Sequence, residues 1–380
     1  MNKRSQKKIG ILGGGQLARM SAYQAYKLGL DIVVLEKTKK SPAGMLTQNE
    51  FVGRVEDKKL LKKFAQSCDV VTLENEFVDY HLLESIEKLG VKVIPSSKTI
   101  GTIQDKYLQK SALRKKGIPV PKFIEIKSSD DYSKIRTVLG KKFILKSRKM
   151  GYDGYGNAEV KKQSDFKTAV EKLSSRHNLL MAEEFVKFRK ELAIMVVRTK
   201  KEVKVYPVVE TIQRDHICHI VLAPAKVSSI IYKKAEEIAV ECVKAVNGYG
   251  IYGIEMFLTE NGNILVNEMA PRPHNSGHYT IEACVTSQFE NHVRSVLELP
   301  LGSTAMVKPV SVMINLLGKK TGEGILDNYS EVLDDPDIHL HIYGKADSRI
   351  GRKMGHITLV GENMNSLLVK AKEIDLIAKI

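Results

Sequence analysis

Cysteine is scarce in this 380-residue sequence, and the four residues present, Cys68, Cys218, Cys242 and Cys284, form no CxxC pair. That excludes both a zinc knuckle and a disulfide framework, and it fits a reducing compartment. Long apolar runs are missing too: there is no stretch of the roughly 18 apolar residues that a membrane-spanning helix needs. Met1 to Lys8 is basic and leads straight into a strand-like run rather than an apolar signal core. The expectation is a soluble, cytoplasmic protein with no membrane partner. Internal repeats, low-complexity stretches and a long basic tail are likewise absent. The missing tail matters because a formal charge of +16 and a pI near 9.4 would otherwise suggest nucleic acid. The lysines lie in short groups such as Lys58-Lys59, Lys62-Lys63 and Lys233-Lys234, as on solvated helix faces. No nucleic-acid partner is expected, and the positive field suits small anionic substrates.

With 43% hydrophobic residues, the chain is long enough for two or three domains. The first hundred residues alternate apolar strand runs (Ile9 to Leu12, Asp31 to Glu36, Val70 to Leu73, Val91 to Ile94) with amphipathic runs such as Gln16 to Leu28, closed by Gly29. This predicts parallel βαβ units in a doubly wound domain. Ser96 to Lys116 reads as one long helix stopped by Gly117, with Pro119 and Pro121 marking a boundary. Beyond it, Phe143 to Lys146, Met181 to Phe185, Leu192 to Arg198 and Val203 to Val209 include neighbouring runs with no helix between them, so antiparallel pairing is expected. Asn261-Gly262 signals a hairpin within Phe257 to Val266. A helix over Thr280 to Glu298, then a shorter β-rich segment and a terminal helix over Ser366 to Ala378, complete the reading.

Four motifs carry chemistry. Gly13-Gly14-Gly15-Gln16-Leu17-Ala18 joins a strand to a helix, where bare backbone N–H groups can meet a phosphate. With Glu36 ending the next strand, it imitates a dinucleotide fingerprint, so an NAD-dependent dehydrogenase competes at this point, as does a plain tight turn. The second motif is Lys146, at a strand end, followed by the glycine-rich run Gly151-Tyr152-Asp153-Gly154-Tyr155-Gly156-Asn157. Such a loop can fold over a triphosphate while the lysine supplies charge, though it is no Walker A loop because the lysine precedes the glycines. The third is the acidic strand Met181-Ala182-Glu183-Glu184-Phe185-Val186 followed by Glu191, whose backbone can meet an adenine edge and whose carboxylate can take ribose hydroxyls. The fourth is Glu255 and, across the turn, Asn267-Glu268, running into Met269-Ala270-Pro271-Arg272-Pro273-His274-Asn275-Ser276-Gly277-His278. Hard carboxylate oxygens are what Mg²⁺ takes when it bridges nucleotide phosphates. Arg272 can neutralise developing charge there, and His274 can orient or protonate an oxygen.

The order of these motifs resembles that of ATP-grasp enzymes. The strings Ile11-Leu12-Gly13-Gly14-Gly15-Gln16-Leu17 and Asn267 to His278 resemble the N5-carboxyaminoimidazole ribonucleotide synthetase family over essentially the whole chain. The resemblance implies a mixed α/β and α+β fold: a doubly wound pre-ATP-grasp domain at 1–100, an ATP-grasp domain at 101–300 and a small β-rich domain at 301–380. It implies a ligase of purine biosynthesis that uses ATP and Mg²⁺, or Mn²⁺, to turn bicarbonate into carboxyphosphate and carboxylate 5-aminoimidazole ribonucleotide. A homodimer is implied as well.

Carried over by position, Lys106 and Lys146 contact ATP phosphates under a lid from Gly151 to Asn157. Glu183, Glu184, Phe185 and Val186 lie at the adenine, with Glu191 at the ribose. Glu255 and Glu268 hold the metal beside Asn267, and Arg272 and His274 face bicarbonate, with Asp153 near the amine as a base. Gly15, Gln16, Leu17, Glu76, Asn275, Lys345, Arg352 and Lys353 serve the ribonucleotide, the last three as a phosphate clamp. Tyr155 and Asn157 depart from the family's usual lid lysine and glutamine, and a histidine expected near Gln213 is absent. Alternatives are a formate-dependent glycinamide ribonucleotide transformylase of similar architecture, against which the Gly13-to-Leu17 turn and the Asn275-to-His278 run speak, and a noncatalytic nucleotide sensor, favoured only by the altered lid.

Overall fold

The computed structural model describes residues 6–126, 131–151, 156–175 and 178–380. The expected lid residues Tyr152, Asp153, Gly154 and Tyr155 lie outside the described residues. Strands β1 (Lys8–Leu12), β2 (Asp31–Glu36), β3 (Glu50–Val52), β4 (Val70–Leu73) and β5 (Lys92–Val93) form a parallel sheet in the order β3-β2-β1-β4-β5. Their apolar residues are buried on both faces, Ile9, Ile11 and Ile32 on one side and Val33, Leu35 and Leu73 on the other. That two-sided burial explains the continuous apolar runs. Strand order reverses beside β1, so the Gly13–Gly15 turn after β1 and Glu74 after β4 share the crevice at the strands' carboxyl ends, where doubly wound sheets bind ligands.

Next come β6 (Phe123–Ile126), β7 (Phe143–Ser147), β8 (Asn157–Val160) and β9 (Leu180–Glu184), an antiparallel sheet ordered β6-β9-β7-β8. The chain then enters a larger antiparallel sheet through β10 (Phe188–Arg198), β11 (Val203–Val205), β12 (Val209–Arg214), β13 (Ile217–Ala223), β14 (Gly250–Thr259) and β15 (Ile264–Ala270). The same sheet continues into β16 (Val310–Leu317), β18 (His339–Ile342) and β20 (Lys353–Gly361), giving the order β15-β14-β10-β12-β13-β16-β20-β18 with β11 beside β10. The short strands β17 (Gly322–Glu323) and β19 (Asp347–Ser348) pair separately. The C-terminal β-rich segment therefore extends the central sheet through β13 and β16, from Ile220↔Ile314 to Ala223↔Ser311. Among the described residues, no helix is long and apolar enough to cross a membrane.

Three expected elements divide. The run from Ser96 to Lys116 is two helices, Ser97–Ile103 and Lys106–Lys115, because Asp105 caps the second by accepting from the Tyr107 and Leu108 amides. Its carboxylate also takes a two-pronged contact from Arg148, so the break is an anchor. The expected helix over Thr280 to Glu298 is likewise split into Thr280–Ala283 and Gln288–Val296. Between them the chain is extended: Val285 and Thr286 donate to the carbonyls of Ala305 and Ser303, and Ser287 caps the second helix. Val203 to Val209 is interrupted because Pro207 has no N–H to continue a ladder.

Candidate functional site

The glycine turn is already occupied by the protein's own carboxylates. Glu74 accepts from the amides of Gly15 and Leu17, the latter at 3.2 Å, and Glu36 accepts from Gly14 at 2.9 Å. A Cβ at Gly15 would stand 2.3 Å from Glu74 Oε1, so glycine is required for this approach. Burial raises the Glu74 carboxyl above its ordinary range, and the two amides and Lys345 work against that rise. A phosphate on these amides would have to displace Glu74. Leu17 is buried against Met20, Phe289 and Tyr343, so within this turn Gln16, partly exposed, is the expected substrate residue whose side chain has access to solvent.

Three lysines converge on the acidic strands from two directions. Lys106 opens the helix Lys106–Lys115 and pairs with Glu268. Burial opposes the charge on Lys106, but Glu268, Glu255 and Glu76 outweigh it and raise its pKa. One turn later Lys110, 1% exposed, reaches Glu183 Oε2 at 2.7 Å and the Asn267 carbonyl at 2.6 Å. Lys146, on β7, takes the other Glu183 oxygen at 2.6 Å and lies 3.5 Å from Asn267 Oδ1. Glu183 is therefore turned inward between two cations, which hold its carboxyl below the usual range despite burial.

Lys110 and Arg148 were not among the residues expected at the site. Lys110 had a signal, its i+4 spacing from Lys106 on one helix face; Arg148 stood inside the Lys146-to-Gly151 run without a partner, because Asp105 and Glu125 come to it only in three dimensions. Beyond Glu183, Glu184 accepts from the Lys122 amide at 2.8 Å. With Phe185 and Val186 it lines a cleft of about 460 Å³ together with Pro119, Lys234 and Leu265. The ends of the expected lid lie close together: a Cβ on Gly156 would be 3.0 Å from Gly151 Cα, and Asn157 pairs with Lys146.

Glu255 and Glu268 stand directly opposite each other on β14 and β15, with a bulge immediately after. Burial, Glu268 and then Glu191 raise the Glu255 carboxyl, whereas Lys106 holds Glu268 low against its own burial. Glu191 is itself raised by burial and bonds Gln213. Like charges held this close call for a cation, and two facing carboxylates with an amide oxygen from Asn267 nearby suit a hard, oxygen-preferring ion such as Mg²⁺.

Arg272 forks onto Glu76, Nε to Oε2 at 2.5 Å and a terminal nitrogen to Oε1 at 3.2 Å. Glu76, expected at a substrate ribose, is thus also the counter-ion of Arg272. The His274 ring packs so closely on β14 that a Cβ at Gly253 would be 2.5 Å from His274 Cβ. Its Nδ1 lies 2.9 Å from Ser276 Oγ, and its Nε2 is 3.5 Å from Glu255 Oε1. Burial, then Arg272 and Lys353, push its pKa down to about 3. Of the two roles open to His274, the lowered pKa favours orienting an oxygen over protonating one.

Asn275 is committed to the fold: its amide and that of Asn315 bond reciprocally at 2.9 and 2.7 Å. Lys345 bears electrostatically on Glu74, and Lys353 on Glu255 and His274, so the C-terminal cations face both the glycine turn and the carboxylate pair. Arg352 instead bonds the Asp347 carbonyl at 2.6 Å. Glu282, His341 and His356 form a separate group of donors. The two imidazoles stack 4.4 Å apart and only 8° from parallel, and His341 Nε2 lies 2.7 Å from Glu282 Oε1.

Residues 6–104 match the ribonucleotide synthetase preATP-grasp domain, 111–289 the ATP-grasp domain and 311–370 the phosphoribosylaminoimidazole carboxylase C-terminal domain. The chain is 44% identical, over 94% of its length and 67% of the relative's, to the phosphoribosylaminoimidazole carboxylase of Ogataea methanolica. It spans about two thirds of the fungal and plant carboxylases it matches. It is 39% identical to the N5-carboxyaminoimidazole ribonucleotide synthase of Synechococcus elongatus, covering 92% of this chain and 89% of that one. The crystal structure of the Aspergillus clavatus N5-carboxyaminoimidazole synthase in complex with ADP and 5-aminoimidazole ribonucleotide superposes with a TM-score of 0.88, at 38% identity, over 97% of this chain and 98% of that one.

Proposed function

The chain belongs to the N5-carboxyaminoimidazole ribonucleotide synthase family of ATP-grasp ligases, and from that membership we propose that it joins bicarbonate to the exocyclic amine of 5-aminoimidazole ribonucleotide, driven by ATP. ADP and phosphate are the other products, in purine biosynthesis. The observation that carries this reading is the facing pair Glu255 and Glu268, with Lys106 bonded to Glu268 and His274 Nε2 3.5 Å from Glu255. A dehydrogenase has no use for that arrangement, and the turn that suggested one is filled by Glu74.

Bicarbonate is a poor electrophile. Transfer of the γ-phosphoryl group to one of its oxygens releases ADP and gives carboxyphosphate, whose carbon then carries a good leaving group. The amine attacks that carbon, phosphate departs with the bonding pair, and the amine gives up a proton. Lys106 and Lys146 position the nucleotide phosphates, and Glu184 to Val186 with Glu191 hold the nucleoside. Arg272, kept in place by Glu76, balances charge on the bicarbonate oxygens, while neutral His274 orients one of them. Glu255 and Glu268 would hold Mg²⁺ or Mn²⁺, which when bound supplies charge neutralisation at the phosphates. Lys345, Lys353 and Arg352 take the substrate phosphate, with Gly15, Gln16, Leu17 and Asn275 shaping the pocket, and Asp153 accepts the proton. The division at about residues 100 and 300, a homodimer and a cytoplasmic location belong to the same proposal.

ADP release from MgATP and bicarbonate is the test, with and without fresh 5-aminoimidazole ribonucleotide and with glycinamide ribonucleotide plus formate as control. Stimulation by the aminoimidazole alone is expected. Stimulation by the glycinamide pair instead would transfer the chain to the transformylase reaction.

A further inference from the structure

Two cations share one anion at the centre of the site. Lys110 and Lys146 take separate oxygens of Glu183, at 2.7 and 2.6 Å, and Glu183 is only 2% exposed. Lys110 directs its remaining donors at backbone, the Asn267 carbonyl at 2.6 Å and the Val266 carbonyl at 3.4 Å. It has no path to a ligand. Lys146 differs, because its further neighbour is the side-chain oxygen of Asn267 at 3.5 Å, beyond a strong hydrogen bond. A lone Lys146–Glu183 pair would be neutral, with the ammonium satisfied by its own carboxylate. With Lys110 present the group carries one positive charge in excess.

We propose that Lys110 is a positioning residue for Lys146: by occupying one oxygen of Glu183 it divides that carboxylate's hold and leaves Lys146 with attraction to spare for a nucleotide phosphate. The same ammonium ties β15, which bears Asn267 and Glu268, to β9, so the phosphate-binding cation and the carboxylate pair are set by one buried contact. The excess charge registers on Lys110 itself, whose pKa burial and Lys146 push down to about 8 in spite of Glu183. This inference rests on the ATP-dependent reading of the site.

The test is calorimetric MgADP binding alongside the KM for ATP and kcat. Lys110→Met is expected to weaken MgADP binding and raise KM by about tenfold, with a smaller change in kcat, since Glu183 then holds Lys146 alone. Adding Glu183→Gln in that background removes the competing charge and should restore most of the affinity, a gain that a purely structural lysine would not give. Lys110→Arg should bind more tightly than Lys110→Met. Unchanged MgADP affinity in Lys110→Met, or a double variant no better than the single one, would overturn the proposal. Should the methionine variant not fold, Lys110→Gln with and without Glu183→Gln makes the same comparison. Failure of the wild-type protein itself to bind MgADP would instead remove the ATP reading.

Discussion

Glu255 and Glu268 occupy facing positions on paired strands, yet their carboxyls move in opposite directions, because Lys106 is bonded to Glu268 and not to Glu255. The folded state therefore raises the Glu255 pKa above its unfolded value and binds its proton more tightly. Its contribution turns into a penalty as pH climbs from the ordinary carboxylate range through the raised value. Glu268 runs the other way: its stabilisation is complete above the unfolded value and is lost as pH falls through the depressed one. Removing the charge at Glu255 should thus help the fold while harming the chemistry. Glu255→Gln is expected to raise Tm by roughly 3 °C at pH 8, to abolish the further rise that MgCl₂ with ADP gives the wild type, and to stop ADP formation. A melting curve with and without the metal checks all but the last. The carboxylate pair was legible in the sequence as two glutamates on the arms of one hairpin, but their facing was not, because the register that runs from the turn to Met256↔Val266 brings Glu268 opposite Glu255 only through a bulge. The lowering of the His274 pKa was not legible either, because it depends on burial and on Arg272 and Lys353, which no local pattern reveals.

At the level of elements, helix ends carry the arrangement. The kink between Ser97–Ile103 and Lys106–Lys115 points Lys106 and Lys110 at the site, and Asp105 holds it through two amides and Arg148. Asp105→Ala is expected to cost about 3 kcal/mol in urea unfolding, more than a lost cap alone, since it leaves a buried guanidinium with Glu125 as its one remaining ion-pair partner among the described residues. Asp105→Asn keeps the cap acceptor and should lose less. The stretch reads as one helix in sequence because the apolar spacing continues across Gln104-Asp105. An aspartate inside a helical run looks like a solvated residue until its basic partner, 43 positions away, is known. The split of Thr280 to Glu298 has the same origin: the partners of Val285 and Thr286 lie beyond Pro300.

For the molecule as a whole, the continuity of the large sheet decides what can be removed. Lys353 stands on β20, two strands from β13, and Glu255 on β14 of the same sheet. Deleting residues 310–380 would bare β13, whose Ile220 and Val221 are buried, as an apolar edge. The shortened chain is expected to aggregate, seen as void-volume elution, where a self-sufficient central domain would elute as a compact species. The parallel N-terminal sheet was plain from its alternation of strand and helix, and so was antiparallel pairing beyond residue 120. The merging of the C-terminal strands into the central sheet was not, because periodicity reports which face of a strand is buried and never which neighbour it pairs with.

The turn after β1 has the shape of a receptor and the chemistry of a closed joint. A dinucleotide or a free phosphate arriving there would meet a seat already taken by Glu74, with its amides spoken for and no room for even one extra carbon at Gly15. Selection against such visitors needs no clash with their outline, because a resident carboxylate turns them away by holding the donors they would need. Lys345 bears electrostatically on that same carboxylate, and Lys353 on Glu255, both from the other end of the chain.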